Sequence, residues 1–199
     1  LSTPLERLNA HSSYIYSVAY SPDGSRIATV GNDWALRVWD VASDLTSPLV
    51  ESTAAHSDVI NSVAWSPDSA RIATVSSDLS LRVCHSSDLS PLLNKQNAHS
   101  NTIYSVAFSP DGTKLAVGDD EYYVTVYSSD DGWATATQVL RQTPYAYCAV
   151  PVAASATTTE IQRPADAGCF RIHSVAFSPD GTMLAAAGGA VWKRDVAGA

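Results

Sequence analysis

The chain has 199 residues, 45% of them hydrophobic and 16% charged, with a formal net charge of −8. Such a length and apolar share suit a globular protein with a sizeable core rather than a disordered one. No window approaches the roughly 18 uninterrupted apolar residues of a membrane span, and the 12 Lys and Arg are scattered singly, which excludes direct membrane insertion by a helix and argues against a nucleic-acid partner.

The segment LSTPLERLNAH at the start of the chain carries no apolar run of the signal-peptide kind. It leans slightly towards a cytoplasmic protein and leaves the compartment open. From Tyr14 onward, short alternating runs are separated by turn signals. YIYSVAYS predicts a strand, SPDG a tight turn, SRIATVG a second strand, ND a second turn, ALRVWDV a third strand and SPLVEST a fourth. Val, Ile, Tyr and Trp suit a pleated surface, and Pro-Asp-Gly supplies the fixed and the positive φ that a tight turn needs. No segment has the 3.6-residue period of a helix.

The pattern then repeats. SVAYSPDG at Ser17 has close copies at Ser62 (SVAWSPDS), Ser105 and Ser174 (both SVAFSPDG), spaced by 45, 43 and 69 residues. SPLLNKQ, at Ser90–Gln96, supplies the fourth strand of the second unit. The long third interval holds residues 142–169, which are rich in Ala, Thr and Pro and too short for a further unit. They read as a surface loop, a class often functional or disordered at this length. Cys84, Cys148 and Cys169 form an odd set without CxxC spacing, so neither a disulfide framework nor a zinc site is indicated. Cys148 and Cys169 share the insertion and are candidates to pair.

Units that begin AHS (His11, His56, His99), run through SVAxSPDG and close on LRVWD at Leu36–Asp40 resemble WD-repeat β-propeller blades. The resemblance covers nearly the whole chain outside the insertion. It implies an all-β fold of four blades, each of four antiparallel strands a to d, with strand a innermost. The units would be residues 10–54, 55–97, 98–141 and a degenerate 170–199, with residues 1–9 serving as the outer strand of a closing blade. An incomplete propeller, or part of a larger one, is preferred over a closed four-blade ring.

The resemblance also implies a buried His–Ser/Thr–Asp–Trp tetrad in each blade. The first unit has His11, Thr29, Asp33 and Trp39. The second keeps His56, Thr74 and Asp78 but has Cys84 in place of Trp. The third keeps His99, with Tyr127 for Trp, Val117 for Thr, and Glu121 or its neighbour Asp120 as the acid. The fourth lacks the His and any Asp in its turn. The first blade is therefore expected to be the best locked and the fourth the loosest.

His, Thr and Asp are also the ingredients of a nucleophile–base–orienter set. Repetition in a second unit favours a packing lock, because an enzyme has little use for one triad per blade. The acidic runs Asp119–Glu121 and Asp130–Asp131 lack calcium-loop spacing and fall at turns, and no phosphate loop or cofactor motif is present. No metal, cofactor or catalytic residue is expected.

In blades of this kind the b–c turns and the approaches to strand a lie at one end. That end would carry Trp34, Leu79 and Tyr122 from the turns. It would also carry Tyr14 and Tyr16 around a buried Ile15, with the equivalents Val59 and Asn61, Thr102 and Tyr104, Arg171 and His173. Trp133 is expected in a c–d turn at the other end. Aromatic side chains dominate interface hot spots, so the expected function is a non-catalytic scaffold or assembly subunit that binds other protein chains within a larger complex. A small-ligand or glycan-binding propeller using the insertion is the alternative, and an enzyme ranks third.

Overall fold

The computed structural model describes residues 6–142, 171–188 and 191–197. Most of the insertion, with Cys148 and Cys169, lies outside the described residues. No helix occurs among the described residues, and the chain forms four antiparallel sheets. The first holds β1 (Ile15–Tyr20), β2 (Arg26–Gly31), β3 (Leu36–Asp40) and β4 (Val50–Ser52) in sequence order. The second holds β5 (Ile60–Trp65), β6 (Arg71–Ser76), β7 (Leu81–His85) and β8 (Pro91–Lys95). The third holds β9 (Ile103–Phe108), β10 (Lys114–Asp119), β11 (Val124–Ser128) and β12 (Thr137–Gln142). The fourth has β13 (Ser174–Phe177), β14 (Met183–Ala187) and β15 (Val191–Asp195), three described strands where four were expected. Residues 6–9, expected as a closing outer strand, are in loop and turn.

Each SPDG makes a hairpin by local chemistry. Gly24 N–H donates to Ser21 O at 2.8 Å, closing the turn, and Gly24 itself sits at φ +72°. Asp23 accepts from the Ser21 hydroxyl at 2.6 Å and from Ser25 N–H at 2.9 Å, while Ser21 Oγ accepts from Arg26 N–H at 2.9 Å. Ser, Pro, Asp and Gly thus occupy the positions each favours in a turn of this kind. The same bonds recur around Asp68, Asp111 and Asp180.

The Ser of SVA ties one blade to the next. Ser17, Ser62 and Ser105 Oγ accept from the N–H groups of Val63, Val106 and Val175, at 3.3, 3.3 and 3.0 Å. Three apolar layers lie between successive blades. In the first, Ala28, Val30, Leu36 and Val38 meet Ile60, Val63, Trp65 and Ile72. A blade alone cannot bury both of its faces, and stacking supplies the missing cover.

The ring is open, and this corrects one expectation. Ile15 is 45% exposed, with Val18 and Tyr20 at 62% and 64%, whereas the equivalent Ile60, Val63 and Trp65 are 0%, 5% and 7% exposed. Ile15 was expected to be buried, but among the described residues no preceding blade covers β1. Val191 on β15 is likewise 82% exposed.

Gly118 marks a close approach between the third blade and the segment that leads into the fourth. A Cβ there would fall well inside van der Waals contact with the Ile172 side chain, which is itself fully buried. Ile172 is β-branched and has little rotamer freedom to yield. Gly118→Ala is expected to destabilise the protein by about 1–3 kcal/mol, the usual cost of overpacking. An unchanged urea midpoint would show that the blades separate more easily than this packing implies.

Candidate functional site

The geometry of one end of the molecule follows from a repeated irregularity. In the first sheet Ile15 pairs with Gly31 and Ser17 with Val30, which leaves Tyr16 bulged. The same shift bulges Asn61 in the second sheet and Tyr104 in the third. A bulge re-aims its side chain out of the alternating pattern of the strand. His173 occupies the corresponding place before β13. Tyr16, Asn61, Tyr104 and His173 converge, with Val59 and Ser77, on a cavity of about 450 Å³.

Several of these side chains are held in place. Asn61 Nδ2 donates to Ile103 O at 2.8 Å and to Ser77 Oγ at 3.1 Å. Arg171 donates to the Tyr104 hydroxyl at 3.0 Å, lies over the Tyr104 ring at 5.2 Å, and pairs with Asp120 at 3.0 Å. The Tyr104 and His173 rings sit 5.6 Å apart. The site therefore offers aromatic faces, an amide and an imidazole in a partly fixed arrangement.

Trp34, Leu79 and Tyr122 share one backbone conformation, with φ of +62°, +69° and +70°. Left-handed backbone is costly for bulky side chains. Trp34 is 46% exposed and Tyr14 77% exposed, both from the first blade. Leu79 and Tyr122 are half-buried, and Tyr122 packs against the core between the third and fourth blades. Of the eleven residues expected at this end, five (Tyr16, Val59, Asn61, Tyr104 and His173) line the cavity and Arg171 braces one of them. Ser77 was missed, and its only signal is its place just before the turn residue Asp78. Trp133 needs a correction as a surface marker. It does lie in the c–d turn, but it is 1% exposed, because its Nε1–H donates to Gly112 O at 3.1 Å and its ring stands edge-on to Phe108 at 5.7 Å.

Between this face and the blade cores lie the His-centred networks. In the first blade His11 Nδ1 is 2.8 Å from Asp33, its Nε2 is 2.7 Å from Thr29 Oγ1, and Trp39 Nε1–H donates to the same Oγ1 at 2.9 Å. Asp33 also accepts from Ser12 N–H and Arg37, at 3.0 and 2.9 Å. The second blade repeats this with His56, Asp78 and Thr74, at 3.0 and 2.8 Å, and Ser80 adds a hydroxyl to Asp78 at 2.6 Å. Cys84 Sγ reaches only Ile72 O, at 3.7 Å.

The third blade departs from expectation in its acid. His99 Nδ1 bonds Asp119 at 2.6 Å, not Asp120 or Glu121. Asp119 ends β10 opposite Ile103, where the first two blades have Gly31 and Ser76 opposite Ile15 and Ile60, so of these three blades only the third has a carboxylate at this place; Glu121 accepts from Ser100 and Asp120 pairs with Arg171. Val117 offers no oxygen, so His99 Nε2 is buried without a partner, and the Tyr127 hydroxyl donates to Ala98 O at 2.9 Å. As chemistry, these sets have nucleophile, base and orienter. Thr29 Oγ1 is taken up by His11 Nε2 and the Trp39 indole N–H, while Thr74 is buried with its Oγ1 bonded to His56 Nε2.

Burial by itself would raise the Asp33 and Asp78 carboxyls. Hydrogen bonds outweigh it, from His11, Ser12 N–H and Arg37 in one case and from His56, Ser80 and Ser57 N–H in the other, holding both well below the ordinary 3.8. Burial pushes His56 below its ordinary 6.5, against the pull of Asp78. All three groups bind protons less readily folded than unfolded, so stability rises with pH across their range. The urea midpoint is expected to fall in two stages on acidification, first below pH 6.5 as unfolded His56 takes up a proton, then more steeply below pH 3.8. A midpoint that holds or rises from pH 7 to 5 would contradict a neutral buried His56.

A search of the curated proteins returns no match to this chain. The family model described as WD domain, G-beta repeat matches residues 2–40, 47–85, 90–133 and 165–191, with the shortest match in the degenerate fourth unit. The matched segments span most of the sequence and agree with the four antiparallel sheets, so the chain belongs to the WD domain, G-beta repeat family.

Proposed function

We propose that this chain is a non-catalytic interaction module that holds a protein partner on the end carrying Tyr14, Tyr16, Trp34, Asn61, Tyr104, Arg171 and His173. Repeats of this family generally serve as protein-interaction and scaffold modules, and the particular face is the finer proposal. The observation that carries it is the convergence of side chains from all four blades on one cavity of about 450 Å³, three of them directed by bulges and the fourth, His173, from just before β13. Each blade contributes one residue in or just before its inner strand, so a partner segment seated there touches every blade at once.

The chemistry of the face supports a protein partner. Exposed Tyr and Trp supply large contact area at low entropic cost, and Asn, His and Arg supply directional polar contacts. Leu79 and Tyr122 support the rim, being half-buried. The His-centred networks belong to the scaffold beneath: they brace the b–c turns that present Trp34 and Leu79. The test is partner capture by the Trp34→Ala/Tyr16→Ala variant, compared with Ser87→Arg in the exposed c–d turn at the other end. Equal capture by the double variant and the unaltered chain, with Ser87→Arg impaired, would move the interface to the opposite end.

A further inference from the structure

The second blade carries a hole where its neighbours carry a ring. Trp39 in the first blade and Tyr127 in the third occupy the same position on strand c, and both are nearly or fully buried. The second blade has the half-buried Cys84 there, and a cavity of about 230 Å³ opens beside it between the first and second blades. Its walls are mixed: Leu36 from the first blade and Val83, Leu93 and Cys84 from the second are apolar, while Thr74, Arg82 and Asn94 bring polar groups. Ala54 and Pro91 are exposed and line it too, which gives it an opening to solvent.

The polar groups left over say what would fit. In the first blade Thr29 Oγ1 bonds His11 Nε2 and accepts the Trp39 indole N–H at 2.9 Å. In the second blade Thr74 Oγ1 keeps the equivalent contact to His56 Nε2 at 2.8 Å, but the indole donor is missing because its residue is Cys84. Thr74 therefore retains an acceptor site on the wall of this cavity, and the first blade shows which group that site takes. We propose that this cavity is a binding site for a small planar aromatic molecule with a ring N–H, of which indole is the simplest. The ring fills the volume that Trp39 fills in the first blade and donates its N–H to Thr74 Oγ1.

Size and reactivity agree with this assignment. An apolar cavity of roughly 150 Å³ is enough to bind benzene, so 230 Å³ admits a bicyclic ring. Burial pushes the Cys84 thiol up to about 12. It stays protonated and serves as a soft apolar wall rather than a nucleophile. Binding is non-covalent and involves no group of the loop face, so it stands or falls separately from the interaction proposal.

The experiment titrates indole and 1-methylindole into the full chain, read by melting temperature and calorimetry. Indole is expected to raise the melting temperature saturably. 1-Methylindole, which keeps the shape but lacks the N–H, is expected to bind about fivefold more weakly, the ratio expected for one net hydrogen bond. Cys84→Trp is expected to fill the cavity and abolish the response. Should that variant fail to fold, Thr74→Val serves instead: it keeps the cavity and is expected to bind the two ligands equally. The proposal is overturned if the unaltered chain shows no saturable response, if both ligands bind it equally, if folded Cys84→Trp responds in full, or if Thr74→Val still prefers indole fivefold.

Discussion

Replacing Trp34 and Tyr16 together by alanine is expected to weaken partner capture by about a hundredfold or more, with the β-sheet signature intact. Aromatic anchors at an interface typically contribute about 2 kcal/mol or more each, and every 1.4 kcal/mol is tenfold. Neither ring has a large folding task. Tyr16 is a bulge residue, 55% exposed, and Trp34 is half in solvent at φ +62°. A bulky residue in the left-handed region costs the fold about 1–2 kcal/mol relative to glycine. A companion change, Trp34→Gly, is therefore expected to hold or raise the melting temperature while still weakening capture. Loss of stability in parallel with loss of binding would mean that Trp34 serves the fold. Trp133 cannot act as the comparison surface, because truncating it would empty a core position.

The largest stability effect is expected at Asp78. Its carboxylate serves His56, Ser57 N–H, and both the N–H and hydroxyl of Ser80. The His56 side chain has no solvent exposure and the Asp78 side chain only 7%. Asp78→Ala strands these donors together, and each buried donor left unsatisfied typically costs about 1–3 kcal/mol. Because the second blade is covered on both faces, that loss is expected to appear in the global urea transition, not as local fraying. Asp33→Ala is the instructive comparison. The first blade makes the same contacts, but its β1 face is open to solvent, so part of its network can loosen without unfolding the rest. An Asp78→Ala variant with an unchanged midpoint would sink the reading of these networks as locks.

How far the sequence could be read depended on the range of the interaction concerned. The four hairpins were legible because SPDG is stabilised by bonds that stay within a few residues, such as Ser21 to Asp23 and Gly24 to Ser21. The His, Thr and Asp positions of the first two blades were legible by resemblance, and the structure brings each set within hydrogen-bond distance. In the third blade the sequence offered three adjacent acids, and only the folded structure selects Asp119, which stands opposite Ile103 where the first two blades have Gly31 and Ser76. The bulges are also what turn Tyr16, Asn61 and Tyr104 toward one place beside His173, and no alternation of apolar and polar residues announces them.

By itself, the sequence determined the all-β repeat, the turn chemistry and the residues eligible for each network, because those depend on neighbours along the chain. Tertiary structure alone decided which apolar side chains are covered. Ile15 and Ile60 occupy equivalent places in nearly identical strands, yet one is 45% exposed and the other fully buried. Trp133 and Trp34 both sit in turns at positive φ, yet only Trp133 finds a backbone acceptor and a ring to pack against. The cavity beside Cys84 likewise exists only because the trailing face of one blade closes over the next. Burial is set by whichever blade lies alongside, one repeat of about 45 residues away, and no local pattern encodes its presence.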